Sequence, residues 1–448
     1  MSPRLLHRWL ARFQLEAHGT TARRELVAGL TTFVTMAYIV VLNPAILAPT
    51  GVAPSDLLWG TVLAAVLGTL LMAWWANLPI ALAPGMGSNA IFAQVLVVKM
   101  GVSWQIGLTM VLVNGLLFFV IAMTRWRQKI IEGFPEPIKI GIQISIGGFI
   151  AWLGLRSAGL IEFLPGVGIA LGRLDEPATL LALAGLLLTL MLMARRAAWA
   201  LLASMLVVSV AGLFVAGRDG VPLTRMPDAF LALPPFNPGM LFAFDIRGYF
   251  THFVLLLPIS LYFLISEFFS GTATLFAVTQ RAGLLLPGRD FPNARAAFSS
   301  DALGTVIGAA AGTTTVTAYA ESVAGVEAGG RTGLTALCVA ALFAVSIFFW
   351  PLIRCIPPQA SAAALVAVGV LMLEGVRHID FSAPENSMPP LLMLVVNLAT
   401  ADLMAGMAMG CFVYTLIGLV RGNRKEIGVI LIGLDAVFAF YLWVKDAL

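Results

Sequence analysis

The chain is 448 residues long, 60% hydrophobic and only 11% charged, with a net charge of +4. So little polar surface excludes an ordinary soluble enzyme, and apolar runs of about 20 residues, the length that crosses a bilayer, recur from Val27 to Val444. The positive charge does not point to nucleic acid, because the Arg and Lys residues sit in short loops where they set membrane topology.

The first element is RLLHRWLARF, in which Leu5, Leu6, Trp9, Leu10 and Phe13 are set against Arg4, His7, Arg8 and Arg12 in a helical, amphipathic, basic pattern. It reads as an interfacial helix on the cytoplasmic side, within a segment 1–24 that precedes the first span. Predicted spans follow near 25–46, 57–77, 79–98, 104–124, 137–160, 178–194, 198–216, 250–278, 300–311, 313–327, 332–350, 358–376, 388–420 and 427–446, about fourteen in all. With a cytoplasmic N-terminus, Arg125/Arg127/Lys129, Arg195/Arg196, Arg281/Arg289/Arg295 and Arg331 all fall on one side, as the positive-inside rule demands. The expectation is an all-α polytopic protein of the inner (plasma) membrane. Its tail stays open: 388–420 reads as one long helix or as two short ones broken between Asn397 and Asp402, and the basic RGNRK at 421–425 favours two.

One spacing stands out. The broken segment LAPGMGSN reaches Gly85 sixty residues after Glu25, where the first span opens, and GTTTVTAY reaches Gly312 sixty-two residues after Phe250, where the second half opens. Gly/Pro- or Thr-rich breaks at matching positions of two halves point to an inverted-repeat transporter, whose discontinuous segments meet near the bilayer midplane and form the substrate site. Irregular backbone at that depth must be satisfied by protein or by a water-filled cavity.

Read as a strand, GTTTVT turns Thr313, Thr315 and Thr317 to one face; at AYAES the period becomes helical, with Glu321 in the first turn. Such a half-helix aims free N–H groups and a positive dipole end into the site. Thr317 is a candidate helix cap and Glu321 a candidate dipole-stabilising carboxylate, yet a capping box would put its acid at the position of Ala320. Glu321 is the first functional candidate. The second is Glu267, with thirteen or more uncharged residues on either side; a carboxylate near the bilayer centre costs roughly 2.5–3.5 kcal/mol and is by default functional. Its plainer alternative is a hydrogen-bonding contact between helices. Two such groups suit proton-coupled uptake, one accepting a proton while the other holds an N–H donor of a neutral ligand. Ser88 and Asn89 offer polar groups opposite the threonines, and Phe92 a ring face for a planar ligand, or ordinary packing. Backbone N–H groups around Ser88 to Ala90 and around Ala318, Tyr319 and Ala320 would meet ring acceptors. Asp301 reads as a helix-start residue, and Arg156, Arg354, Glu374 and Asp402 as snorkelling residues near span ends, with Asp402 and Asn397 a possible gate contact.

Other chemistries find little support. Cys338, Cys355 and Cys411 lack pairing or ligand spacing, and His7, His18, His252 and His378 are scattered, so no metal, cofactor or enzymatic site is expected. No Gly-rich loop ends in Lys followed by Ser or Thr, which argues against a nucleotide-driven pump.

ELVAGLTTFVTMAYIVVLNPAIL (25–47), APGMGSNAIFA (83–93), GFPEPIKIGIQISIGGFIAWLGLRSAGLI (133–161) and GTTTVTAYAESVAGVEAGGRTGLTA (312–336) resemble the adenine/guanine/hypoxanthine permease branch of the nucleobase/ascorbate (xanthine/uracil) transporter superfamily. The resemblance implies a uracil-permease fold of fourteen segments in two inverted repeats of seven, and a homodimer. It implies a core domain from 25–124 and 250–350, a gate domain from 125–249 and 351–448, and elevator-type alternating access. The base would sit between the two broken segments on Glu321 and Glu267. Departures fall around Glu267: a family motif Asp-Leu-Phe-Asp-Thr has Glu267 for its first Asp, Ser270 for its second and Gly271 for its Thr, and the usual Gly two positions on is Ala273. Ser88 stands where Leu is common and Ile91 where Tyr is common. The function expected is proton-coupled symport of a purine or similar planar heterocycle. Sodium coupling, and an anion transporter of the sulfate or bicarbonate type, are the alternatives; two buried carboxylates disfavour the anion.

Overall fold

A computed structural model describes residues 11–124, 126–164, 168–285, 291–422 and 428–445. Most of the amphipathic segment expected at the N-terminus, residues 1–10, and the basic residues Arg125, Arg289, Arg424 and Lys425 lie outside the described residues.

In the first half, α1 (Ala22–Met36) and α2 (Ile39–Leu47) form one span interrupted by a turn at Ala37 and Tyr38. Next come α3 (Pro54–Leu71), β1 (Leu82–Pro84), α4 (Met86–Ile91, running on in wider turns to Lys99), α5 (Trp104–Met123), α6 (Trp126–Gly133) and α7 (Glu136–Ser157). A hairpin of β2 (Ile161–Leu164) and β3 (Gly168–Leu171) leads to α8 (Pro177–Ala194) and α9 (Ala200–Ala211). The second half contains α10 (Ile246–Thr251), α11 (Phe253–Arg281), α12 (Ala294–Ala310), β4 (Val316–Ala318), α13 (Ser322–Glu327), α14 (Gly333–Ser346), α15 (Trp350–Arg354), α16 (Pro358–Met372), α17 (Pro384–Thr400), α18 (Leu403–Val420) and α19 (Val429–Lys445). Among the described residues, eight helical spans are long and apolar enough to cross a membrane. Several helices, some of these spans among them, start with chemistry suited to an N-terminus: proline in the first turn of α3, α8, α16 and α17, and side-chain caps from Ser103, Thr332 and Asp402.

The two broken segments meet. β1 and β4 pair antiparallel with Leu82 opposite Ala318, Ala83 opposite Thr317 and Pro84 opposite Val316. The ladder continues through Gly85 N–H to Thr315 O (2.9 Å) and Tyr319 N–H to Ala81 O (3.0 Å). A two-stranded sheet in the middle of a membrane protein has edges that water does not reach, and each repeat supplies the same remedy. Thr69 Oγ1 on α3 donates to Leu82 O and accepts from Leu82 N–H, both at 2.9 Å. Thr305 Oγ1 on α12 donates to Val316 O at 2.9 Å and accepts from Val316 N–H at 3.2 Å. The glycine before each threonine lets the strands approach: a Cβ on Gly68 or Gly304 would lie 3.1–3.4 Å from Leu82 and Val316 side-chain atoms. Leu-Gly-Thr at 67–69 thus recurs at 303–305, a repeat signal additional to the spacing of the breaks. At the other end, the fully buried Glu25 of α1 accepts from Arg331 N–H (2.9 Å) and from Thr335 Oγ1 (2.6 Å). That carboxylate ties the first span to the start of α14.

Several boundaries differ from expectation. β4 begins at Val316, so Thr313 to Thr315 precede the strand rather than form it. α12 starts at Ala294, six residues before the predicted span. The stretch 388–420 is two helices, α17 and α18, turned at Ala401 with φ +50°. α19 then returns beside α18, with Thr415 Oγ1 donating to Asp435 at 2.6 Å and Tyr441 OH to Asp402 at 3.0 Å. The hairpin β2–β3 and the short α6 carried no signal in the apolar periodicity.

Candidate substrate site between the broken segments

Glu321 occupies the residue just before α13, but its side chain does not cap that helix. It turns back toward α1/α2, where Tyr38 OH donates to Glu321 Oε1 at 2.5 Å. Tyr38 is fully buried and sits in the turn that interrupts the first span. Thr317 is not a cap either: it lies inside β4, and its hydroxyl has no hydrogen-bond partner among the described residues. Tyr319 is buried, donates from its hydroxyl to Pro84 O at 2.5 Å, and lies within electrostatic reach of both Glu321 and Glu267. Ala318 N–H is taken by Asp301 Oδ1 (2.8 Å) and Tyr319 N–H by Ala81 O (3.0 Å). These two N–H groups are therefore not available to a ring acceptor, contrary to the sequence expectation. Ala320, the next residue, is exposed.

Glu267 is buried on α11, with Oε1 facing the hydroxyls of Ser88 and Thr315. The three oxygens gather around Gly85: a Cβ there would lie 2.9 Å from Ser88 Oγ, 3.4 Å from Glu267 Oε1 and 3.5 Å from Thr315 Oγ1. Ser88 and Thr315 share a hydrogen bond of 2.5 Å, so the two breaks are joined through side chains as well as backbone. Glu267 Oε2 has no partner among the described residues. Asn89 is buried and donates to Asn43 Oδ1, while Asn43 Nδ2 donates to Thr61 Oγ1 (2.8 Å) and Thr313 Oγ1 (3.2 Å). Asn43 thereby fixes the Asn89 amide, and Asn89 Oδ1 stays without a partner among the described residues. Phe92 is buried with its ring against Gly107 of α5, where a Cβ would come within 2.6 Å of the ring.

Asp301 is the main correction. It does not open a helix: it lies in the middle of α12, fully buried, with Oδ1 on Ala318 N–H and Oδ2 free of partners among the described residues. It is also within electrostatic reach of Glu267. Asp402 and Asn397 do not pair: Asn397 Nδ2 donates to Ser145 O at 2.6 Å, whereas Asp402 caps α18 and pairs with Lys99 at 2.9 Å. Arg156 and Arg354 lie in the last turns of α7 and α15, Arg156 over the Trp152 ring at 5.6 Å, and Glu374 pairs with Arg377 just after α16. Among the described residues, no group of three or more His, Cys, Asp or Glu is arranged to hold a metal ion.

A model of the Permease family matches residues 23–409. The chain belongs to this family. It is 36% identical to the adenine permease AdeQ of Escherichia coli, over 97% of this chain and 96% of that one. It is also 36% identical to the guanine/hypoxanthine permease PbuO of Bacillus subtilis, over 96% of this chain and the whole of that one. Among solved structures, the transmembrane domain of the cyanobacterial bicarbonate transporter BicA superposes with a TM-score of 0.60 at 17% identity, covering 85% of this chain and 96% of that one. That likeness concerns the fold. The chain is an integral membrane permease with the helical, inverted-repeat architecture that the breaks foretold.

Within this permease the sequence overlooked three residues. Asp301 could have been found from length: a predicted span of 300–311 has twelve residues, too short to cross a bilayer, and extending it upstream buries the aspartate. Tyr38 and Asn43 stand in the apolar stretch VTMAYIVVLNPAIL as its only strongly polar groups after Thr35, which is a signal of the same kind as Glu267.

Proposed function

We propose that this permease takes up a purine nucleobase, or a similar planar N-heterocycle, by proton-coupled symport with elevator-type alternating access. The observation that carries the reading is a set of acceptors without a counter-cation: the buried Glu267 and Asp301 and the half-buried Glu321 meet hydroxyl and amide groups, and among the described residues no Lys or Arg bonds to any of them. Such a site wants N–H donors or protons. A neutral purine presents N–H groups at its ring edge, and permeases that this chain resembles in sequence are named for adenine, guanine and hypoxanthine. In this reading Glu321 and Glu267 receive the ring N–H edge, with Ser88, Asn89, Phe92, Thr317, Ala318, Tyr319 and Ala320 lining the space. Glu267, whose Oε2 is unpartnered, is the first proton carrier. The moving core comprises 25–124 and 250–350 and the gate 125–249 and 351–448, in a homodimer with its N-terminus in the cytoplasm.

The same acceptors count against an anion substrate, since ionised carboxylates repel it. Uptake of labelled adenine, guanine and hypoxanthine in cells lacking their own permeases tests the reading. Accumulation of at least one base is expected, abolished by a protonophore and unaffected when choline replaces sodium. Uptake that survives the protonophore and needs sodium removes proton coupling; uptake of bicarbonate or sulfate, with none of any base, removes the substrate class.

A further inference from the structure

Gly271 follows Glu267 by one helical turn of α11, so the two positions share a face. A Cβ built on Gly271 would stand 2.1 Å from Asp301 Oδ2 and 3.4 Å from Thr317 Oγ1. No real Cβ makes the first contact. The colliding carboxylate cannot simply step aside, because it is fully buried and its other oxygen is bonded to Ala318 N–H at 2.8 Å. The Asp301 carboxylate and the Thr317 hydroxyl lie within reach of each other, and, one turn away, Glu267 Oε2 has no hydrogen-bond partner among the described residues. Glycine weakens a helix interior relative to alanine, and Gly271 has no positive φ that would call for it. Close approach is the remaining reason. This is also the position where the resemblance leads one to expect threonine.

We propose that Gly271 is a positioning residue, whose missing side chain admits the Asp301 carboxylate against α11 and so sets a pair of acidic groups, Asp301 and Glu267, at one end of the site. Its consequence for transport rests on the function proposed above; the placement itself does not. Two carboxylates in reach of each other titrate as a pair, so moving one changes the pH profile of both. The other titratable groups near the pair are Tyr262 on α11, Tyr319 after β4 and Glu321 beyond it. α5 and β1, which pack on α12, contain no titratable residue, and α3 contains only Asp56 in its first turn.

The test compares purified wild type, Gly271→Ala, Asp301→Ala and the double variant, by melting temperature across pH without ligand, and by pH-dependent purine uptake in cells. Gly271→Ala is expected to move the midpoint of the pH profile by about one unit and to lower uptake kcat/KM roughly tenfold. Added to Asp301→Ala it should change nothing further, because the group it acts through is gone. Where Gly271→Ala alone does not fold, the double variant should recover a folded protein. A profile superimposable on wild type, an effect of Gly271→Ala undiminished beside Asp301→Ala, or a double variant that stays unfolded would overturn the proposal. Wild type that takes up no purine would instead bring down the transport reading, while the ligand-free profiles still decide the placement.

Discussion

The two repeats build their halves of the site with the same scaffold and different chemistry. Thr69 and Thr305 bracket the backbones of β1 and β4 in the same way, each behind a glycine that lets the strand approach. Yet all three carboxylates at the site, Glu267, Asp301 and Glu321, come from the second repeat, while the first contributes Tyr38, Asn43, Ser88 and Asn89. Symmetry therefore serves the architecture, where irregular backbone must be satisfied without water. The function proposed above would be asymmetric, because one proton and one ligand edge need acceptors gathered at one place.

The comparison breaks most visibly at the carboxylates. Glu321→Gln and Glu267→Gln are each expected to cut purine uptake on the order of a hundredfold, as loss of one partner in a buried charged hydrogen bond does. Ser88→Ala, its counterpart in the first repeat, should cost less, leaving uptake within roughly tenfold of wild type, since it removes hydroxyl contacts to Thr315, Gly85 O and Glu267 while Thr315 still faces that carboxylate. Equal losses from both sets would erase the asymmetry.

The scaffold should respond alike on both sides. Thr69→Val and Thr305→Val each leave a backbone N–H and C=O without their side-chain partner, at about 1–3 kcal/mol apiece. The melting temperature of the two variants should fall by similar amounts; a large drop in one and none in the other would contradict the repeat symmetry.

Smaller effects sharpen the division of labour. Tyr38→Phe removes the hydroxyl that holds Glu321 Oε1, worth about 1 kcal/mol, so KM should rise about fivefold with little change in maximal rate. Lys99→Ala removes a half-exposed lysine from the buried Asp402, which keeps Ala405 N–H and Tyr441 OH, and a stability loss of about 1–2 kcal/mol is expected from denaturation.

Much of this was legible in the chain. The two interruptions, GMGSN and TTTVTAYAES, announce discontinuous segments because polar and flexible residues are costly at membrane depth. Glu267 and Glu321 are visible for the same reason. Asp301 escaped because an aspartate beside two serines looks like a helix start, and only the true beginning of α12 at Ala294 buries it. The commitment of Ala318 and Tyr319 N–H depends on a carboxylate seventeen residues upstream and on a strand from the other repeat, relations that local periodicity does not carry. The fate of Asp402 likewise turns on Lys99 and Tyr441, far away in sequence.

The central claim is that a purine rests on carboxylates of the second repeat, and thermal-shift titration of the purified protein with adenine, guanine and hypoxanthine tests it most directly. A ligand that binds only the folded state raises the melting temperature. The account predicts a rise for wild type with at least one base, and its loss in both Glu267→Gln and Glu321→Gln. No rise with any base, or a rise that persists in both variants, would contradict it.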